Sequence, residues 1–148
     1  MNHGKVQIGV IDGHGGGMGR AIVERIKGEY PDVLVRALGT NSLATAAMLK
    51  AGADDGASGE NAIIFNARKM DILIGPIGIA MANGLLGEVT PAMAGAIMDS
   101  AGVKIFLPPQ NKCGFHFASG KKAPLPVCID ETMALLREEM HALHSHHT

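Results

Sequence analysis

A doubly wound α/β domain with a mainly parallel sheet is the fold this sequence predicts, and three observations predict it. The apolar run Val6-Gln7-Ile8-Gly9-Val10-Ile11 leads straight into the cluster Gly13-His14-Gly15-Gly16-Gly17 and then an amphipathic stretch, which reads as strand, turn and helix. Further apolar runs at 33–38, 71–74 and 103–107 alternate with segments of helical spacing, and such alternation places helices on both faces of parallel strands. Twenty glycines beside only 3% aromatic residues fit tight turns around an aliphatic core. The expected architecture is one three-layer, Rossmann-like or flavodoxin-like domain over 1–148, with about five strands and a flexible histidine-rich tail at 144–148.

The elements follow in order. The first strand ends at Asp12, and the next helix carries Met18, Ile22 and Ile26 on one face, with Lys27 in its last turn and Gly28 just beyond. Pro31 opens the way to the second strand, 33–38. Gly39-Thr40-Asn41-Ser42 then turns into a helix capped by Ser42 and ended by Gly52. Residues 53–59 read as a polar loop. Ala62-Ile63-Ile64-Phe65 suits a strand or a buried helix. Only five residues part it from the strand at Asp71-Ile72-Leu73-Ile74, too few for a parallel crossover of about a dozen, so a helix from near Glu60, capped by Ser58, is favoured. After Gly75-Pro76-Ile77-Gly78 the apolar residues 79–86 form a short helix or buried loop. Thr90 and Pro91 open a helix that stops at Gly102. A strand at 103–107, a short edge strand at 115–118 and a helix from near Asp130 complete the chain.

The glycine turn carries the strongest functional signal. Small residues let backbone approach a ligand, and the free N–H groups of a helix start face an anion. The spacing is G-x-x-x-G-x-G at Gly13, Gly17 and Gly19, which resembles the cofactor turn of the short-chain dehydrogenases. The catalytic Tyr-x-x-x-Lys pair of that family is absent, since the only tyrosine is Tyr30, and no acid ends the second strand to hold a ribose hydroxyl. In a doubly wound sheet the ligand sits beyond the carboxyl ends of the strands. That edge comprises residues 12–17, 39–42, 75–78 and 108–113. The expected binding residues are Gly13, His14, Gly15, Gly16, Gly17, Met18, Gly19, Thr40, Asn41, Ser42, Gly75, Pro76 and Gly78, and the expected ligand is a dinucleotide, a mononucleotide or another phosphate-bearing small molecule. Asp12 and Glu60 are the candidates for acid–base or metal-ligand work. Asp12 also suits a second role, accepting hydrogen bonds from the turn itself, because a carboxylate beside a phosphate repels it.

Four blocks together, Ile11-Asp12-Gly13-His14-Gly15-Gly16-Gly17, Ala37-Leu38-Gly39-Thr40-Asn41, Ala57-Ser58-Gly59-Glu60-Asn61-Ala62-Ile63 and Gly75-Pro76-Ile77-Gly78-Ile79, resemble a bacterial family of short proteins, found mostly in anaerobes, designated a domain of unknown function. The resemblance spans residues 5 to 136. It implies a stand-alone small α/β protein of the cytoplasm and carries over no catalytic residue, and His14 stands where glutamine is more usual in that family.

Other chemistry is sparse. Cys113 and His116 are two metal-type ligands, short of the three or four a site needs. His141, His144, His146 and His147 fit a solvated helix end, and Cys128 fits the core. A net charge of −1 without a basic stripe argues against nucleic acid, and the longest apolar stretch, 72–86, is too short and glycine-broken to span a bilayer. No signal peptide is evident at the N-terminus, so a cytoplasmic location is expected. The segment 77–86 leaves an apolar patch for a second copy to cover, in a homodimer. Three functional classes follow: a nucleotide-type sensor or regulator, an enzyme on a phosphorylated metabolite through Asp12 or Glu60, and a metal- or cofactor-handling accessory protein.

Overall fold

The alternation continues through every element. In order they are β1 (Gln7–Asp12), α1 (Gly17–Glu29), β2 (Leu34–Gly39), α2 (Ser42–Lys50), β3 (Asp55–Ser58), α3 (Glu60–Ala67), β4 (Ile72–Pro76), a 3₁₀ turn (Ile77–Ala80), α4 (Pro91–Asp99), β5 (Val103–Leu107) and α5 (Leu125–Ser145). The computed structural model describes residues 4–110, 116–118 and 123–146. All strand pairs are parallel, in the order β3-β2-β1-β4-β5. The direction of winding reverses between β1 and β4, which is where such sheets open a ligand crevice.

Period-2 alternation sorts the strand side chains into two cores. Ile8, Val10, Val35, Ala37, Ile72 and Ile74 face α1, α2 and α5, with Ile22, Val23, Ile26, Met48 and Met133. Ile11, Leu38 and Leu73 face α3 and α4, with Ile63, Met93 and Ile97. β4 is buried along its whole length, as a strand covered on both faces must be, and its composition is accordingly apolar throughout.

Several expectations change. The segment expected as a polar loop contains β3, which pairs with β2 from Arg36↔Asp55 to Gly39↔Ser58. Arg36 holds it there with a two-point ion pair, Nε to Asp55 Oδ1 at 2.7 Å and Nη2 to Oδ2 at 2.8 Å, and Nη1 reaches Asn66 Oδ1 at 3.1 Å. Asn41, not Ser42, caps α2, its Oδ1 accepting from the Ala44 N–H at 2.9 Å. Ser58 does not cap α3; the cap position is Gly59, while Ser58 Oγ donates to Thr45 Oγ1 at 2.6 Å. The Thr90–Pro91 start of α4 is as expected, with Thr90 Oγ1 accepting from Met93 N. α5 begins at Leu125, five residues ahead of Asp130, because Pro126 sits in its first turn where a missing N–H costs nothing. The expected edge strand at 115–118 falls partly outside the described residues, and His116, Phe117 and Ala118 lie in no strand.

Candidate functional site

Where β1 ends, Asp12 dictates the turn. It is 5% exposed and both of its oxygens are used: Oδ1 accepts from the Gly13 N–H at 2.8 Å and Oδ2 from the Gly19 N–H at 2.7 Å. The carboxylate thus clamps the two ends of the glycine cluster. Burial pushes its pKa above the ordinary 3.8, against the two backbone donors. Asp12 thus accepts hydrogen bonds from the turn, as the sequence allowed.

The glycines divide into two kinds. A Cβ on Gly13 would lie 2.6 Å from Thr40 Oγ1, and one on Gly19 would lie 2.6 Å from Met48 Sδ. Gly16 has φ +74° and packs on Ala44, whose Cα would be 2.8 Å from an added Cβ. These three are required by packing or backbone shape. Gly15 and Gly17 have ordinary backbone and open space around them; nothing inside the protein demands glycine there. Gly16 N bonds to Gly13 O and Arg20 N to Gly16 O, whereas the N–H groups of Gly15, Gly17 and Met18 make no hydrogen bond among the described residues. Those donors lie at the start of α1, beside the switch point.

Across the turn sits a residue the sequence reading missed. Glu88, from the β4–α4 connection, receives three donors. Asn41 Nδ2 at 2.6 Å and Thr40 Oγ1 at 3.0 Å reach Oε1, and the His14 N–H at 3.0 Å reaches Oε2, while the His14 ring, whose Nε2 bonds to Leu85 O, stands 3.0 Å from Oε2. Burial works to raise its pKa, but the Asn41, Thr40 and His14 donors, with the His14 charge, outweigh burial and hold it below the ordinary carboxylate value. Asn41 also donates to His14 O at 2.9 Å, so the ends of β1 and β2 and the start of α2 close around one carboxylate. A signal for Glu88 does exist in the sequence: it is the only charged residue between Asp71 and Asp99.

The remaining expected residues are dispersed. Gly75 is demanded by the sheet, since a Cβ would lie 2.2 Å from Ile11 O, and Gly78 lies beneath the Leu85 side chain. Pro76 is the buried end of β4. Ser42 is exposed at the start of α2. Glu60 is exposed at the start of α3, following β3, two strands from β1 and so about 10 Å across the sheet. No hydrogen bond or ion pair joins it to Asp12 or Glu88 among the described residues. Cys113 and His147 lie outside the described residues, and His116 is exposed. Among the described residues no three His, Cys, Asp or Glu side chains gather in a metal-binding group. Cys128 is a free, buried thiol, as expected of a core residue.

The segment expected to leave an apolar patch is mostly packed. Ile79 is buried and Leu85 packs on the α3–α4 core, which leaves Leu86, 97% exposed, as the one large apolar side chain it offers to solvent. Among the described residues no helix is long and apolar enough to cross a membrane.

The chain belongs to the family DUF3842, a domain of unknown function, whose model matches residues 7–141. No curated protein matches it. Among solved structures it is similar to a dodecameric FMN-dependent UbiX-like decarboxylase from Escherichia coli O157:H7, at 18% identity over 90% of this chain and 75% of that one, with a TM-score of 0.43. The FMN and the dodecamer are properties of that protein.

Proposed function

We propose that this protein binds a phosphate-bearing small molecule, a mononucleotide or dinucleotide, at the β1–α1 turn. The observation that carries the reading is the pair Gly15 and Gly17, glycines that neither packing nor backbone shape requires, next to the N–H groups of Gly15, Gly17 and Met18, which are unpaired among the described residues. A glycine without an internal reason suits close approach by a ligand, and unpaired amides at a helix start suit an anion. Gly13, Gly16 and Gly19 shape the turn, Asp12 fixes it from below, and His14, Thr40 and Asn41 supply further donors at its rim. Ser42, at the exposed start of α2, extends the same rim.

The role is binding in the service of sensing or regulation, in the cytoplasm. Both carboxylates at the mouth are committed to hydrogen bonds, so what the geometry offers a ligand is donors. Isothermal titration with NAD, NADP, FAD, FMN, ATP and phosphosugars tests this. The expected result is saturable binding of one class with one site per chain, abolished in Gly17→Asp, whose carboxylate would repel the anion. Binding that survives Gly17→Asp would place the site elsewhere, and a panel with no binder would leave the turn as architecture.

A further inference from the structure

The donors at the rim already hold an anion, and it belongs to the chain. We propose that Glu88 is a built-in competitor for the ligand: its carboxylate fills an oxyanion seat made by the His14 N–H, the Thr40 hydroxyl and the Asn41 amide beside the His14 ring, and a phosphoryl group takes that seat by displacing the Glu88 side chain with the exposed tip next to it, Leu86 and Gly87. The inference rests on the reading of the β1–α1 turn as a phosphate site.

The donors already on the carboxylate weigh for this role over the obvious alternative. Glu88 lies at the end of β2, where a doubly wound sheet commonly keeps an acid to accept ribose hydroxyls. A carboxylate has about four acceptor positions. Three of those of Glu88 are taken by Asn41, Thr40 and the His14 N–H, and the His14 ring stands 3.0 Å from Oε2, which leaves at most one for a ribose hydroxyl. What remains is the seat itself: one amide N–H, one hydroxyl and one carboxamide converging on two anionic oxygens, with an imidazole beside them. Such a donor set accepts phosphoryl oxygens as readily as carboxylate oxygens.

The tip that carries Glu88 stands on a segment whose ends are anchored, Val89 in the core and Thr90 at the cap of α4, while the tip itself is exposed. Its backbone bonds close on themselves: Asn83 N to Val89 O, Gly84 N to Met81 O, Gly87 N to Asn83 O and Val89 N to Gly84 O. Asn83, Leu85 and Leu86 all hold left-handed backbone, with φ 64°, 55° and 57°, a conformation that costs a leucine energy. The links from its tip to the turn are the Glu88 cluster, the His14 Nε2 contact to Leu85 O at 3.0 Å and the packing of Leu85 over Gly13. Removing the carboxylate from its seat takes away the charged part of that hold.

The test compares the affinity of wild type, Glu88→Gln and the double variant Gly17→Asp/Glu88→Gln for inorganic pyrophosphate. Glutamine is neutral and keeps only one acceptor oxygen for the same donors, so the competing anion is lost. Glu88→Gln is expected to bind at least tenfold more tightly than wild type, and the double variant to lose the gain. Binding by wild type with Glu88→Gln unchanged or weaker overturns the competitor and leaves the phosphate reading intact. No binding by any of the three removes both. A second readout does not depend on the variant folding: in wild type, saturating pyrophosphate is expected to speed hydrogen exchange at the Gly87 and Glu88 amides, bonded to Asn83 O and Leu85 O, and protection of those amides contradicts displacement.

Discussion

Two connections meet at the mouth of the crevice, and they are built in opposite ways. Between β1 and α1 the chain turns in residues 13–16, latched from beneath by both oxygens of Asp12 and wedged against α2 at Gly16. Between β4 and α4 it travels through residues 77–90, anchored in the core at Ile79 and Val89, and its tip is pinned over the turn by one carboxylate. The first is held by backbone hydrogen bonds to a buried group; the tip of the second is held by side-chain bonds at the surface, over backbone that is locally strained. A rigid seat and a releasable cover are what that difference describes, and each part can be broken separately.

The largest effect is expected at the latch. Asp12→Ala leaves two N–H groups without an acceptor in a buried site, at a cost of about 2–4 kcal/mol, read as a lowered urea midpoint. A loss below about 1 kcal/mol would mean that the turn holds its shape without Asp12. Next is Gly16→Ala, which sets a side chain in left-handed backbone against Ala44 and should cost about 2 kcal/mol by the same measurement.

Glu88→Gln is a smaller change, about 1 kcal/mol for a partly exposed charged acceptor, and its pH dependence identifies it. The folded pKa of Glu88 lies below 4.5, so its contribution is present above pH 4.5 and lost as pH falls through the lowered value. Asp12 has the opposite sign: its folded pKa is raised, so the stability linked to its protonation is present below 3.8 and lost as pH rises through the raised value. Urea midpoints of wild type and Glu88→Gln should therefore converge on acidification below pH 4.5. A gap that stays constant would remove Glu88 from the titration. The smallest effect is Gly17→Ala, where open space and ordinary backbone predict a change within about 0.5 kcal/mol, in the stabilising direction. A large loss there would give Gly17 an internal role and weaken its claim to a ligand.

The same contrast governs what was legible in the sequence. β1, β4 and β5 announce themselves because buried parallel strands must be apolar, and the Thr90–Pro91 helix start is a local signal read locally. β3 was missed because it is an edge strand of Asp55, Gly56, Ala57 and Ser58, held by pairing to β2 and by Arg36 rather than by burial. The turn and its glycines were visible, but the division of those glycines into required and unrequired was not, since it depends on Ala44, Met48 and Thr40 arriving from distant parts of the chain. Glu88 stands 48 residues from Thr40 in sequence, and only the adjacency of β1 and β4 brings it over the turn. Its isolation in an uncharged stretch was the one mark it left.

The most direct test of the seat is native mass spectrometry of the gently purified wild type beside Gly17→Asp. A stoichiometric adduct with the mass of a nucleotide or other phosphorylated molecule, present in wild type and absent from a folded Gly17→Asp, is the predicted result. The same adduct retained by Gly17→Asp would contradict the account, because the anion would then be bound somewhere other than at the open glycines of the β1–α1 turn.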